Sequence, residues 1–190
     1  QYFDIEAKCQ EGSITRHLRV YFSKKEGKRV FCDRSPLPRV SDLIGRFKTV
    51  HFSPEDVSMV MRFPAQRRRL LDILISQSDA VYLRDLQQYQ RVLAQRNAQL
   101  RALRESRSQA GIEALEVWNK QLAHWGSRLR QRRLEVLNIL DPLMANYYRS
   151  FSKDQEKAKM VYRWTGFNTD ADEEKVVLTA ENLKEIMLED

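Results

Sequence analysis

The sequence predicts an α+β protein, a small antiparallel sheet that carries a long antiparallel helical-hairpin arm. Three observations lead there. The first fifty residues alternate apolar and polar side chains with the period of a half-buried strand. The chain then changes character at Ser53-Pro54-Glu55-Asp56, a serine N-cap followed by proline and two acids facing the helix dipole. Beyond Asp79 two heptad stripes run on either side of a short polar break, which is the pattern of two helices folding back on each other.

Taken in order, Phe3, Ile5, Ala7 and Cys9 define a first strand, and Leu18, Val20 and Phe22 a second after the turn at Glu11-Gly12-Ser13. Lys25-Glu26-Gly27-Lys28 reads as a hairpin turn into a third strand, Arg29-Val30-Phe31-Cys32. Pro36 and Pro38 are expected to break the sheet. Ser41 is expected to cap a short helix from Asp42 to Phe47, and Thr49 to Phe52 reads as a short strand. Pro64 starts a helix from Ala65 to about Ser76, with Leu70, Leu71, Leu74 and Ile75 inward.

The first arm stripe is Tyr82, Leu86, Tyr89, Leu93, Arg96, Leu100 and Leu103. The second is Leu115, Trp118, Leu122, Trp125, Leu129, Arg132, Val136, Ile139 and Leu143. At about 1.5 Å per residue each arm runs roughly 40 Å. Trp118 and Trp125 sit on the stripe as packing residues, while Arg96 and Arg132 interrupt it, and a buried arginine is costly enough that each should reach out to solvent. Asp141-Pro142 is expected to kink or recap the second arm. Residues 150–158 read as a polar loop, Lys159 to Trp164 as a strand returning to the sheet, and Thr179 as the cap of a last helix.

Charge is distributed unevenly. The net charge is +7, but residues 62–133 hold 15 Lys+Arg against 6 Asp+Glu, and all but one of those cations are arginine. Residues 170–190 hold 2 cations against 8 acids. So basic a middle segment points to a polyanion or an acidic partner protein. No run of about 18 apolar residues exists to form a membrane span. Cys9 and Cys32 make neither a disulfide framework nor a C-x-x-C pair, so a reducing cytoplasm is expected. Gln1-Tyr2-Phe3 is neither a signal peptide nor a natural start, and both ends read as cut.

The sequence contains no G-x-x-x-x-G-K-[ST] loop, no G-x-S-x-G and no H-E-x-x-H. His17, His51 and His124 fall in three different elements and read as structural, with no Cys/His cluster for a metal. Catalysis by this chain alone is therefore not expected.

The stretch from His51 to Arg101 resembles the RecF family, the ABC-type ATPases of bacterial recombinational repair. The matching words are Phe52-Ser53-Pro54-Glu55-Asp56, then Pro64-Ala65-Gln66-Arg67-Arg68-Arg69-Leu70-Leu71-Asp72, then Tyr89-Gln90-Arg91-Val92-Leu93-Ala94-Gln95-Arg96-Asn97-Ala98. Leu115-Glu116-Val117-Trp118 opens the next helix in the same register. The family's usual glycine before the Pro-x-x-Arg-Arg word is replaced by Arg62-Phe63, and its Trp-Asp by Trp118-Asn119. The resemblance implies an intact protein that binds ATP with Mg, forms an ATP-dependent homodimer, holds double-stranded DNA, and works with RecR in a RecO–RecR complex.

It also implies that residues 1–52 and 159–190 are the β-rich part of an ATPase lobe, with 53–158 the helical junction and arm. The ATP-binding and hydrolysing motifs are expected outside this stretch, and Ser53, Glu55 and Asp56 mark a lobe-to-arm junction near the nucleotide. The candidate DNA-binding residues are Arg67 and Arg68 at the junction, Arg91, Arg96 and Arg101 on the first arm, and Arg128, Arg132 and Arg133 on the returning one. The hairpin is expected to bring the two arm groups alongside each other as one basic stripe. Two other readings stay open: arginines paired with Asp72 or Glu55, and a non-catalytic coiled-coil module that binds an acidic protein.

Overall fold

The computed structural model describes residues 1–51, 53, 64–106, 109–153, 157–162 and 178–180. Two compact units are defined by packing, one of Gln1–His51 with Ser76–Leu83, the other of Phe52–Ile75 with Arg84–Asp190.

The first unit is an antiparallel meander, in the order β1 (Tyr2–Glu11), β2 (Ile14–Ser23), β3 (Gly27–Cys32) and β4 (Ser35–Leu37). Its register pairs Phe3 with Phe22, Ile5 with Val20, and Ala7 with Leu18, then Leu18 with Cys32 and Val30 with Leu37. The alternating apolar residues therefore share one face, as a period of two requires. Phe3 and Phe22 stack there at 5.3 Å, and Leu18, Val30 and Cys32 are buried. On the other face Arg19 grips Asp4 through two hydrogen bonds, of 2.9 and 2.5 Å, and lies 5.7 Å from the Phe31 ring. These bonds from Arg19 hold the Asp4 carboxyl below the usual carboxylate range.

Pro36 does not end the sheet. It sits in β4, an edge strand, where a missing N–H costs no ladder bond. A two-residue hairpin, Asp33-Arg34, leads into β4 with both residues left-handed, φ 49° and 68°. The Asp33 carboxylate accepts the His17 N–H at 2.8 Å, and the Asp33 N–H donates to the His17 carbonyl at 2.7 Å. The expected helix from Asp42 to Phe47 is only a 3-10 turn, Val40–Leu43, with the Asp42 carboxylate accepting the Arg39 N–H. Thr49 to His51 form no strand; the Thr49 N–H instead donates to Gln77 Oε1 at 2.7 Å. Gly45 makes that approach possible, because its φ is +84° and a Cβ there would lie 3.1 Å from the Gln77 carbonyl oxygen.

Three helices follow, α1 (Pro64–Ser76), α2 (Ala80–Ser106) and α3 (Gln109–Ser152). Of the four residues expected on the inner face of α1, Ile75 is buried and Leu71 half-buried, whereas Leu70 and Leu74 stay exposed. Asp79 caps α2, its carboxylate accepting the N–H groups of Val81 and Tyr82 at 2.9 and 3.0 Å. The arm is antiparallel: Asp85 meets Arg128, the Tyr89 ring lies against Gly126, Arg96 meets Asn119, and Gln99 meets the Gly111 carbonyl. Its inward face follows the expected stripes as far as Val136. There the stripe shifts, since Leu137 is buried while Ile139 and Leu143 are 62% and 50% exposed.

Pro142 does not recap the second arm; α3 runs through it for 44 residues, about 66 Å along the helix. It ends at Ser152, followed by Lys153 with φ 53°, the left-handed conformation of a helix C-terminus. The strand expected at Lys159 is present as β5 (Ala158–Met160). It pairs with β6 (Leu178–Ala180) in a two-stranded sheet of its own, instead of returning to the meander, and the Asp141 carboxylate accepts the Met160 N–H. Thr179 stands inside β6, so it is a strand residue and not a helix cap. Glu55, Asp56 and residues 181–190 lie outside the described residues.

Candidate nucleic-acid interface

Heptad packing fixes which arginines of the hairpin face inward, and the facing carboxylates decide what those arginines do. Arg133, on α3, is mostly buried, and its guanidinium forks onto Asp72 of α1 with bonds of 2.9 and 3.0 Å. Its remaining nitrogen donates to the Tyr162 hydroxyl at 3.2 Å. Planar bidentate pairing of this kind is strong and directional. It ties α1 to α3. Asp72 is thus engaged by Arg133 from another helix, α3. Arg67 is half-buried, Arg68 and Arg69 are exposed, and burial followed by the Arg68 charge lowers the pKa of Arg67.

Arg128 bonds Asp85 at 2.7 Å, closing the hairpin between α2 and α3, with the carboxylate side chain 6% exposed and the guanidinium 47%. Arg132 pairs with Glu135, one turn further on. Arg96 reaches Asn119 at 2.7 Å, the polar contact that accounts for its interruption of the stripe. Arg91 and Arg101 project from the exposed side of α2. The two arm groups are thus not side by side: Arg96 is level with Asn119 and Arg128 with Asp85, so the α3 arginines sit nearer the start of α2. Arg84 and Arg104 are exposed on α2 as Arg91 and Arg101 are, two arginines that the sequence expectation missed. The signal was available as the absence of acids between Asp85 and Glu105.

Trp118 and Trp125 are half-buried on the inward side, Trp125 edge-on to His124 at 4.7 Å. A 610 Å³ groove between α3 and β5 is lined by Arg130, Glu135, Asp141 and Lys159 above Leu137 and Met160. Its mixed charge favours no anion. Among the described residues no group of His, Cys, Asp and Glu could hold a metal ion, and no helix is long and apolar enough to cross a membrane. Ser53 is half-buried; its neighbours in the junction word lie outside the described residues.

A small antiparallel sheet with a long arginine-rich helical hairpin is a mixed α+β architecture of the ABC-type ATPase class, as comparison with solved structures bears out. Two structures of the recombination mediator protein RecF in the RecFOR pathway superpose on the chain. One, RecF-ATPrS, does so with TM-score 0.77 and 28% identity over 84% of this chain and 42% of its own. The other, RecF-ATP, gives TM-score 0.78 and 26% identity over 90% of this chain and 45% of its own. No family model matches the sequence. Among curated proteins, the DNA replication and repair protein RecF of Heliobacterium modesticaldum is 40% identical over 162 residues, 85% of this chain and 43% of the relative. That of Chloroherpeton thalassium is 36% identical over 163 residues, 85% of this chain and 44% of the relative. The chain is similar to RecF proteins over most of its own length, and it spans less than half the length of the curated relatives it matches.

Proposed function

We propose that the chain is the arm-bearing part of a RecF-type DNA replication and repair protein and holds double-stranded DNA by its arginine-rich helical segment. The observation that carries this reading is the concentration of charge: 15 cations against 6 acids in residues 62–133, in a chain related to RecF over most of its length. Phosphate contacts by arginine give affinity that tolerates any sequence and falls steeply with salt. In this reading residues 1–52 and 159–190 belong to an ATPase lobe, and Ser53, Glu55 and Asp56 stand at the lobe-to-arm junction near the nucleotide. Arg67, Arg68, Arg91, Arg96, Arg101, Arg128 and Arg132 are the candidates from which the phosphate contacts are drawn, while Arg133, mostly buried and held by Asp72 and Tyr162, serves the packing of the helices.

The longer protein uses ATP with Mg, dimerises on it, and works in the cytoplasm with RecR in a RecO–RecR complex; the hydrolysing machinery is not in this chain.

The test is anisotropy titration of the chain with a labelled duplex across roughly 50 to 200 mM salt. Four phosphate contacts give a log–log slope of about −3.6. A chain that ignores duplex DNA at the lowest salt but binds an acidic polypeptide is instead a protein-interaction module.

A further inference from the structure

The exposed residues of α2 from Arg84 to Arg104 are of three kinds only: four arginines, three side-chain amides and three alanines. Neither a carboxylate nor a large apolar side chain interrupts them. The arginines are Arg84, Arg91, Arg101 and Arg104, and none makes an ion pair or side-chain hydrogen bond among the described residues. Of the two acids that bound this stretch, Asp85 is turned inward, 4% exposed, and taken by Arg128, while Glu105 lies beyond Arg104 at its far end. The exposed side of α3 differs. It carries Glu113, Glu116 and Glu135 beside Ile112 and Val117, while Arg132 and Arg133 are already paired with carboxylates. An anion approaching the arm meets carboxylates mixed with cations such as Lys120 on α3, and between Arg84 and Arg104 of α2 arginines with no exposed acid among them.

Resting on the DNA-binding reading above, we propose that the outward side of α2, through Arg84, Arg91, Arg101 and Arg104, is the track that receives the phosphodiester backbone of the duplex. At 1.5 Å per residue the track is about 30 Å long, close to one duplex turn of roughly 34 Å. Protein-binding surfaces draw their energy from buried aromatic and aliphatic anchors, and this surface has none. Single strands are held by stacking bases on aromatic rings, and this surface has none of those either. What it offers is guanidinium and amide donors separated by alanines small enough to admit a backbone. That is the chemistry of phosphate contact without base reading.

The test replaces all four arginines with glutamine, R84Q/R91Q/R101Q/R104Q, a change that keeps helix propensity nearly constant. A matched variant, K8Q/K24Q/K25Q/K28Q, removes the same charge from the meander. Both are titrated with duplex DNA across salt, with far-UV circular dichroism and melting as checks on folding. The α2 variant is expected to lose about 3 to 4 of the salt slope and about tenfold or more in affinity, and the matched variant to lose less than about 1 of the slope. A folded α2 variant that keeps the wild-type slope overturns the proposal and leaves the DNA-binding reading standing. So does an equal loss in the two variants, which makes total charge the cause. A wild-type chain that binds polyglutamate but no duplex at the same salt overturns both.

Discussion

At the scale of single residues, Arg128 and Asp85 form an asymmetric pair. The carboxylate is buried and the guanidinium is half in solvent. One carboxylate oxygen takes the Arg128 bond, while Oδ1 has no hydrogen-bond partner among the described residues. Removing either partner breaks the same bond but leaves different remnants. Arg128→Ala strands a buried charge and should cost about 3 kcal/mol. Asp85→Asn leaves an arginine that water solvates, and should cost clearly less. Urea unfolding of the two variants and the double variant checks this, with Asp85→Asn expected to recover part of the Arg128→Ala loss. Equal costs for the two single changes would show that the carboxylate is not the strained partner. The arginines themselves were legible in the sequence. Which of them keep their charge uncompensated was not, because pairing across an antiparallel hairpin depends on a register that no local pattern encodes. Asp85 and Arg128 are 43 residues apart.

Among elements, long periodic segments were the most legible. The first three strands and the inward stripe of the arm follow from periods of two and seven that survive in the packing. The two prolines inside regular elements end neither of them, because context decides whether the local effect of a proline breaks an element. Pro36 lies on an edge strand, where its missing N–H is no loss. Pro142 lies within α3, where it deprives the Asn138 carbonyl of its i+4 donor without ending the helix. The surrounding turns hold the helix together through packing and through Asp141, which anchors β5 by its bond to the Met160 N–H. The proline then remains a local cost. Pro142→Ala should stabilise the helical unit by about 1 to 3 kcal/mol, read as a higher melting temperature. An unchanged or lower one would mean that Pro142 itself contributes to seating β5. Thr179 failed as a cap for a related reason: a threonine before an amphipathic run suits a helix start, yet β-branched residues also suit strands, and here the strand pairing prevails.

For the whole molecule, the division into two units has consequences for how the chain unfolds. The meander buries Leu18, Val30 and Cys32 but leaves Tyr2, Phe3 and Ile5 at 78%, 40% and 59% exposure. The helical unit buries Ile75, Val92, Leu129 and Leu137 and adds the Asp72–Arg133 fork. Burial of apolar area is the main stabilising term, so the meander should open at lower denaturant than the hairpin. The chain supplies its own reporter for one unit. Both tryptophans among the described residues, Trp118 and Trp125, lie in the helical unit. Tryptophan fluorescence in urea should therefore give a transition later than the loss of amide protection across residues 2–32, with early hydrogen exchange in β1 and late exchange around Val92 and Leu129. Coincident transitions by the two probes would mean one cooperative fold. Added duplex DNA extends the argument. A ligand that binds the folded arm raises the stability of that unit by about 2.7 kcal/mol at a hundredfold excess over Kd. If the arm is the DNA-binding element, the fluorescence transition moves to higher urea while early exchange in the meander stays where it was. A shift of the meander alone would place the DNA contact on the sheet.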